Sequence, residues 1–153
     1  MTPFRVDTSG PGETRRLGRR LGRLLRPGDV VLLSGELGAG KTVFVQGLAR
    51  GMGYAGAVAS KSFVLLGEYA GRRGRLYHAD LYRLESPEQA SELGLEESLG
   101  DGALAVEWPE RGAGAFPDDA LSVLFEVTGE RSRRLTIESE GSRSEELLRA
   151  MAD

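Results

Sequence analysis

Apolar residues recur along the chain with spacings that predict where helices form. Over the segment 13–25, leucines fall on one helical face, with arginines on the opposite face. The leucines are Leu17, Leu21, Leu24 and Leu25, and the arginines are Arg15, Arg16, Arg19, Arg20 and Arg23. A charged helix face is usually solvated, and RNA or an acidic partner is the alternative that a basic face leaves open.

Short apolar runs predict the strands. The continuous runs at 30–33 and 103–107 are typical of buried parallel strands, and the second ends in an acid. Two further pairs of segments are each joined by a turn-like stretch, so each pair predicts a hairpin. The pairs are 63–69 with 75–82, and 121–127 with 133–139.

Three more helices are predicted downstream. The first runs from Lys41 to Arg50 and ends at Gly51. The second starts with Ser86 as N-cap, Pro87 at the first helical position and Gln89 completing a capping box, and it ends near Gly94. The third closes the chain from Glu145 to Met151. Strands and helices that alternate in this order predict an α/β fold, with a mixed sheet that is parallel at its centre and antiparallel in its edge hairpins.

Length and composition limit the classes of protein. A chain of 153 residues is about one domain, so we expect a single domain over residues 1–153. There is neither an apolar run long enough for a membrane span nor a secretory signal, which predicts a cytoplasmic protein without membrane contact. The absence of cysteine and the single histidine exclude disulfides and multi-His or Cys-ligated metal sites. A net charge of −3 does not favour DNA or RNA binding.

The segment 35–42 reads GELGAGKT, which matches the Walker A pattern of phosphate-binding loops (P-loops), and a strand precedes it and a helix follows it. Main-chain N–H groups of such a loop form a nest for phosphates, to which the following helix adds its positive end. We expect Lys41, one of only two lysines, to contact the β- and γ-phosphates and act in catalysis, and the Thr42 hydroxyl to ligate Mg²⁺. The predicted nucleotide-binding residues are Glu36, Leu37, Gly38, Ala39, Gly40, Lys41 and Thr42. This motif extends the fold class to a P-loop NTPase-like sheet with flanking helices.

Residues outside this loop indicate which nucleotide base is bound and where a second Mg²⁺ ligand lies. The chain has no asparagine, so the N-K-x-D motif that reads guanine is absent and ATP is favoured over GTP. A second Mg²⁺ anchor is usually an acid at the end of an apolar strand, and both Asp80 and Glu107 occupy such positions. Either acid alone would also suit a surface salt bridge.

Four strings, in this order and spacing, together resemble the bacterial TsaE (YjeE) family: GELGAGKT, SKSF at 60–63, YHADLYRL at 77–84 and VEWPE at 106–110. The resemblance covers nearly the whole chain. It implies a small ATPase of tRNA threonylcarbamoyladenosine biosynthesis that works with the TsaD and TsaB proteins and reaches tRNA indirectly. It also implies that ATP hydrolysis resets the TsaD–TsaB complex between cycles.

The resemblance assigns roles by position. It implies that Thr42 and Glu107 ligate Mg²⁺, that Asp80 is the essential acid, and that Thr14 lies near the nucleotide base. The family's switch-like S-P-T segment is S-K-S here, so Lys61 replaces a proline and the loop is expected to be more pliable.

Several roles stay open on sequence alone. We expect Asp80 to position the attacking water and Glu107 to act through the metal, although the two roles are exchangeable. His78 suits packing better than proton relay, Arg83 suits transition-state stabilisation or a salt bridge, and Trp108 suits a partner anchor or the core.

Three alternative functions also remain. A small-molecule kinase would use the segment 71–75 as an arginine-rich lid, although that turn is short. A nucleotide-dependent assembly module would have negligible turnover. Direct tRNA binding through the basic helix is weaker, because the net charge is negative and stacking aromatics are few. As a hydrolase, the isolated protein is expected to be slow, since such proteins often receive catalytic groups from a partner.

Overall fold

The chain folds around a seven-stranded mixed sheet in the order β1-β7-β6-β2-β5-β4-β3. The structure, a computed structural model, describes residues 2–58 and 66–153. The elements are β1 (Phe4–Thr8), α1 (Pro11–Gly22), β2 (Val30–Gly35), α2 (Lys41–Gly51), β3 (Leu66–Ala70), β4 (Arg75–Asp80), α3 (Pro87–Ser91), α4 (Leu95–Ser98), β5 (Gly102–Glu107), a 3₁₀ turn (Pro109–Gly112), β6 (Leu121–Val127), β7 (Arg133–Ser139) and α5 (Ser142–Ala152).

The predicted fold class is confirmed. Strands β6, β2, β5 and β4 are parallel, whereas β7, β1 and β3 add antiparallel edges. All six residues of β5 are buried, because this strand lies inside the sheet and both of its faces are covered. None of the helices in the described ranges is long and apolar enough to cross a bilayer.

Some element boundaries differ from the prediction. Strand β1 was not predicted, because its five residues alternate weakly and it pairs only with β7, which lies far along the chain. Helix α1 begins at Pro11, where proline has no N–H to lose. The helix predicted to start at Ser86 and end near Gly94 is the shorter α3, and α4, which begins directly after Gly94, was not predicted.

The capping box predicted at Ser86 is wrong. The Ser86 side chain makes no capping hydrogen bond. The Gln89 side chain does turn back, but its Oε1 accepts from the Glu85 N–H at 2.9 Å, one residue earlier than the box requires.

Two apolar clusters pack on the sheet. The larger contains the inner faces of α1, α2 and α5, with Leu21, Phe44 and Leu148 fully buried. The smaller one gathers the ends of β4 and β5 with α3 and α4, around Leu81, Leu95 and Val106. Packing of the smaller cluster therefore holds the ends of β4 and β5 in place, and the candidate site lies at these strand ends.

Helices α1 and α2 touch backbone to backbone through glycines spaced four apart on each helix. A methyl group at Gly22 would lie 2.3 Å from the Leu48 carbonyl oxygen, and one at Gly47 would lie 2.2 Å from the Arg15 carbonyl oxygen. Gly18 and Gly51 are equally crowded, at 2.4 and 2.3 Å. Only glycine permits this approach, so these residues fix the position of α1 against α2.

Replacing Gly47 with alanine should therefore destabilise the protein. The new methyl group would overlap the backbone of α1, so we expect a loss of about 2–3 kcal/mol in the free energy of unfolding. Denaturant unfolding followed by circular dichroism measures it. The matched control is Gly12→Ala, because Gly12 is likewise a glycine inside a helix, α1, but nothing lies within 4 Å of its added methyl group. The helix contact would be less important than we infer if both variants unfolded at the same denaturant concentration.

Candidate functional site

The glycine-rich loop lies between β2, a central parallel strand, and the N-terminus of α2. Gly35, Gly38 and Gly40 have φ values of 143°, 79° and 102°, which side-chain-bearing residues rarely adopt. A methyl group at Gly35 would also lie 2.7 Å from the Phe125 carbonyl oxygen. These glycines let the chain fold back on itself. The N–H groups in the first turn of α2, which have no partner within the helix, and the positive end of the helix dipole then point towards the space that the loop encloses.

Lys41 is 4% exposed, although it is charged. Its Nζ donates to the Gly35 carbonyl oxygen at 2.6 Å and lies 3.9 Å from the centroid of the Trp108 ring. Burial lowers the pKa of Lys41, and the nearby carboxylates of Glu107, Asp80 and Glu110 act in the opposite direction. The ammonium is thus held at the mouth of the loop by one carbonyl and one aromatic face.

Asp80 and Glu107 lie side by side. They are the last residues of β4 and β5, and the parallel register of these strands pairs them directly, while Glu107 is also in register with Leu33 of β2. The Asp80 Oδ1 accepts from the Tyr82 N–H at 3.0 Å. Burial, with a smaller contribution from Glu107, raises the pKa of Asp80. The two acids identified from sequence therefore share one edge of the sheet with the loop.

A buried histidine orients Glu107. The His78 Nε2 lies 2.6 Å from the Glu107 Oε2, and these residues are 6% and 4% exposed. The interaction fixes one of the two carboxylate oxygens of Glu107. Sequence reasoning favoured simple packing for His78, and it missed this pair because the two residues are 29 positions apart.

Trp108 adopts a left-handed backbone, with φ 58° and ψ 51°, directly after Glu107. This conformation costs about 1–2 kcal/mol in a residue other than glycine. The Trp108 N–H donates to the Leu33 carbonyl oxygen at 3.3 Å, and its ring lies 4.9 Å from that of Tyr82. The strained turn thereby places the indole beside the Lys41 ammonium, and the partly buried ring also packs against the smaller apolar cluster.

Arg133, at the start of β7, was not identified from sequence. Its Nε donates to the Ala39 carbonyl oxygen at 3.2 Å and its Nη2 to that of Gly38 at 3.3 Å. A third bond, from Nη1 to the Ser132 carbonyl oxygen at 2.8 Å, anchors the side chain. The arginine draws two loop carbonyls to one side, which favours an inward orientation of the loop N–H groups. No local signal predicts a contact across about 95 positions.

Thr14 lies beside the loop, in a cleft of ≈ 190 Å³. The lining residues include Pro11, Gly40, Val43 and Arg131. Thr14 is 2% exposed, and its hydroxyl lies 2.8 Å from that of Thr8, so its role in the cleft is to present a methyl group and to fix β1. The resemblance implies that Thr14 lies near a nucleotide base, and the structure places it in a cleft that Gly38 and Gly40 of the loop also line.

The possible metal donors are few. The described ranges contain no group of three or more His, Asp or Glu residues that would hold a metal by themselves. Thr42, Glu107 and Asp80 are the oxygen donors at the loop and at the strand ends. Mg²⁺ suits such a set, because it commonly takes one or two protein oxygens and completes its shell with phosphates and water. The segment 60–63, with Lys61, lies outside the described residues.

Together these features define a mixed α/β protein with a glycine-rich loop and paired acids at the carboxyl edge of its parallel strands. The family model "Threonylcarbamoyl adenosine biosynthesis protein TsaE" matches residues 8–135, and the chain belongs to the TsaE family.

Similar proteins cover most of the chain. The tRNA threonylcarbamoyladenosine biosynthesis protein TsaE of Treponema pallidum is 42% identical over 82% of this chain and 93% of its own. The protein of the same name from Bacillus subtilis is 35% identical over 99% and 96%. The crystal structure of Bacillus subtilis YdiB superposes with a TM-score of 0.82, at 31% identity, over 99% of this chain and 95% of that one.

Asp80→Asn should raise stability at neutral pH. Because the folded protein raises the pKa of Asp80, ionisation of this carboxyl opposes folding above that pKa, and asparagine removes the cost while it keeps the bond from the Tyr82 N–H. The difference in Tm between variant and wild type should shrink as the pH falls towards about 4, the ordinary pKa of aspartate. Thermal unfolding at several pH values tests this. A variant less stable than wild type at pH 7 would show that Asp80 instead stabilises the fold.

Proposed function

We propose that this chain is a Mg²⁺-dependent ATPase of tRNA threonylcarbamoyladenosine biosynthesis, converting ATP and water to ADP and phosphate. It would act in the cytoplasm with the TsaD and TsaB proteins, and reach tRNA through them. Hydrolysis would reset their complex between cycles. Family membership supports the pathway, and the geometry of the loop and the two acids supports the reaction.

One observation carries the proposal: the loop, Lys41 and both acids converge at a single edge of the sheet. Here β2 ends in the loop, while β4 and β5 end in Asp80 and Glu107, and register fixes all three ends together. The positive end of α2 and the ammonium of Lys41 favour phosphate anions, and the carboxylates favour a metal cation. This edge therefore suits a metal–triphosphate ligand that carries both charges.

Thr42 and Glu107 are the residues that would hold Mg²⁺, with Glu107 oriented by His78. When bound, Mg²⁺ would neutralise charge that develops on the β- and γ-phosphate oxygens. Lys41 would exchange its bond to the Gly35 carbonyl oxygen for a bond to phosphate. Its lowered pKa reflects burial, and an arriving phosphate would compensate that burial with opposite charge.

Asp80 would position the attacking water and accept its proton. Burial raises the pKa of this carboxyl, and a raised pKa makes a carboxylate a better proton acceptor near neutrality. The bond from the Tyr82 N–H holds one oxygen of Asp80 and leaves the other to face the water. Glu107 is less suited to this role, because His78 holds one of its carboxylate oxygens.

The kinase alternative lacks structural support for its lid. The arginine-rich segment 71–75 comprises the turn between β3 and β4 and the first residue of β4. The turn docks on the C-terminal end of α2, where the Arg73 N–H donates to the Met52 carbonyl oxygen at 2.9 Å. Lys41 is at the other end of α2, about 15 Å away at a rise of about 1.5 Å per residue. A lid would have to close over the loop, so hydrolysis is favoured over transfer to a second substrate.

We expect measurable release of phosphate from ATP by the wild type, slow when it is alone and faster with purified TsaD and TsaB. Thr42→Ala should lose most of this activity, because it removes a metal ligand, and Asp80→Asn should lose at least about a hundredfold in kcat if it is the general base. A malachite-green assay with and without Mg²⁺ measures all of these. Binding of ATP by Asp80→Asn, followed by calorimetry, should persist.

The other outcomes would each change part of the proposal. Normal turnover by Asp80→Asn would move the water-positioning role to another residue. ATP binding with no turnover, even with both partners present, would favour a nucleotide-dependent assembly module. Assembly with ATP but equally with a non-hydrolysable analogue would support that same conclusion.

Arg133→Gln should raise the KM for ATP about tenfold with little change in kcat. The variant loses the charged hydrogen bonds to two loop carbonyl oxygens, which we expect to contribute about 1.5 kcal/mol or more to holding the loop in its binding conformation. The control is Arg134→Gln, the next residue, which is exposed and pairs with Asp7 at 2.9 Å instead. Steady-state kinetics of both variants tests the prediction. Equal KM values for the two variants would show that the loop keeps its shape without Arg133.

A further inference from the structure

A groove of ≈ 500 Å³ lies at the end of the molecule opposite the glycine-rich loop. It is bounded by the outer face of α1, the C-terminal end of α2 and the β3–β4 turn. Its described lining residues are Arg19, Arg23, Arg50, Arg72, Arg73, Gly51 and Gly53. We call this surface the arginine groove.

Backbone contacts bring these arginines together. The glycine contact between α1 and α2 sets Arg19 and Arg23 beside the end of α2, since a methyl group at Gly51 would lie 2.3 Å from the Arg19 carbonyl oxygen. On the other side, the Arg72 N–H donates to the Gly53 carbonyl oxygen at 3.4 Å. Gly53 itself has φ 89°, and a methyl group there would lie 2.9 Å from the Arg72 nitrogen. Backbone contacts between the three elements therefore determine where these arginines lie.

The arginines of the groove have no carboxylate partner in residues 2–58 and 66–153. By contrast, Arg75, Arg134, Arg143 and Arg149 each form an ion pair there. Among the described residues, Arg50 donates to the backbone carbonyl oxygens of Tyr54 and Gly56, at 3.0 and 2.8 Å. Gathered cations repel one another, so an arriving polyanion would be strongly favoured.

The rest of the lining indicates the kind of polyanion. Among the described residues, the groove presents no aliphatic or aromatic side chain, only arginines and two glycines. Protein interfaces are centred on aromatic or aliphatic anchors, which this surface lacks. Guanidinium groups match phosphate oxygens in a bidentate geometry, and without aromatic rings for stacking they contact the backbone rather than the bases.

The geometry points to a binding site for the phosphodiester backbone of RNA in the arginine groove. The choice of tRNA as the RNA rests on the proposed function, because that pathway acts on tRNA. This direct contact with the tRNA backbone would add to the access to tRNA that TsaD and TsaB provide. The net charge of −3 conceals this site, since residues 11–28 alone carry six arginines against a single acid. The groove lies about 15 Å from Lys41 along α2, so RNA and ATP would bind at separate ends.

The test measures binding of the whole chain to a fluorescently labelled, unmodified tRNA transcript by anisotropy, between 50 and 200 mM KCl. Arg19→Gln/Arg23→Gln should weaken binding roughly tenfold and lower the slope of log K against log salt by about 2. The matched control is Arg16→Gln/Arg26→Gln, which removes the same charge from exposed positions outside the groove. The control should retain most of the affinity.

Two further measurements keep the result specific. Both double variants should hydrolyse ATP at the wild-type rate and unfold at a similar Tm, because neither touches the loop. Unlabelled polyglutamate of matched charge should compete poorly with the labelled tRNA.

Three results would overturn the inference: no tRNA binding by the wild type, equal losses in both double variants, or competition by polyglutamate equal to that of tRNA, which would indicate an acidic protein partner. Absence of ATP hydrolysis by the wild type would count against the proposed function and leave the tRNA result to be judged by itself.

Discussion

The parallel register of β2, β5 and β4 is the constraint on which the site depends. It sets Leu33 beside Glu107 and Glu107 beside Asp80, at the edge where the glycine-rich loop leaves β2. A slip of one residue in either pairing would turn a carboxylate to the opposite face of the sheet. The register is protected because β5 is buried along its whole length, so a slip would also expose apolar side chains to water or bury polar ones. Packing of the central strand thus determines the electrostatics of the site.

The glycine contact between α1 and α2 links the two ends of the molecule. At one end it holds Thr14 beside Gly40, so that a methyl group added at Gly40 would lie 3.9 Å from the Thr14 methyl carbon. At the other end it sets the arginines of α1 beside the end of α2. One packing solution therefore supports both the cleft next to the loop and the arginine groove. This explains part of the high glycine content, which elsewhere serves turns with positive φ.

The sequence predicts those parts of the structure that depend on short stretches of neighbouring residues. The loop, both acids, the central strands and both hairpins follow from motif, apolar runs and turn residues, and the order of these elements predicts the fold class. Contacts that depend on register or on distant chain segments do not follow: the pairing of His78 with Glu107, the placement of the Trp108 ring over Lys41, and the bonds from Arg133 to the loop. Strand β1 belongs to this group too, because its only partner in the sheet is β7. The arginine groove combines three separate elements, so a count of net charge conceals it.

The charges at the candidate site are arranged at a cost to the fold. Burial lowers the pKa of Lys41 and raises that of Asp80, so ionisation of each group is disfavoured by its surroundings. The left-handed Trp108 adds backbone strain at the same place. Groups held in this way are stabilised when ligands of opposite charge arrive, because phosphate oxygens suit the ammonium and a divalent cation suits the carboxylates. Two acids beside the Lys41 ammonium would still repel a bare triphosphate, so in the proposed reaction the metal and the nucleotide would each favour the binding of the other. The position of both acids at strand ends matters for this coupling. Strand register holds each carboxylate in place, whereas a mobile carboxylate would turn into solvent and the binding of metal and nucleotide would no longer depend on each other.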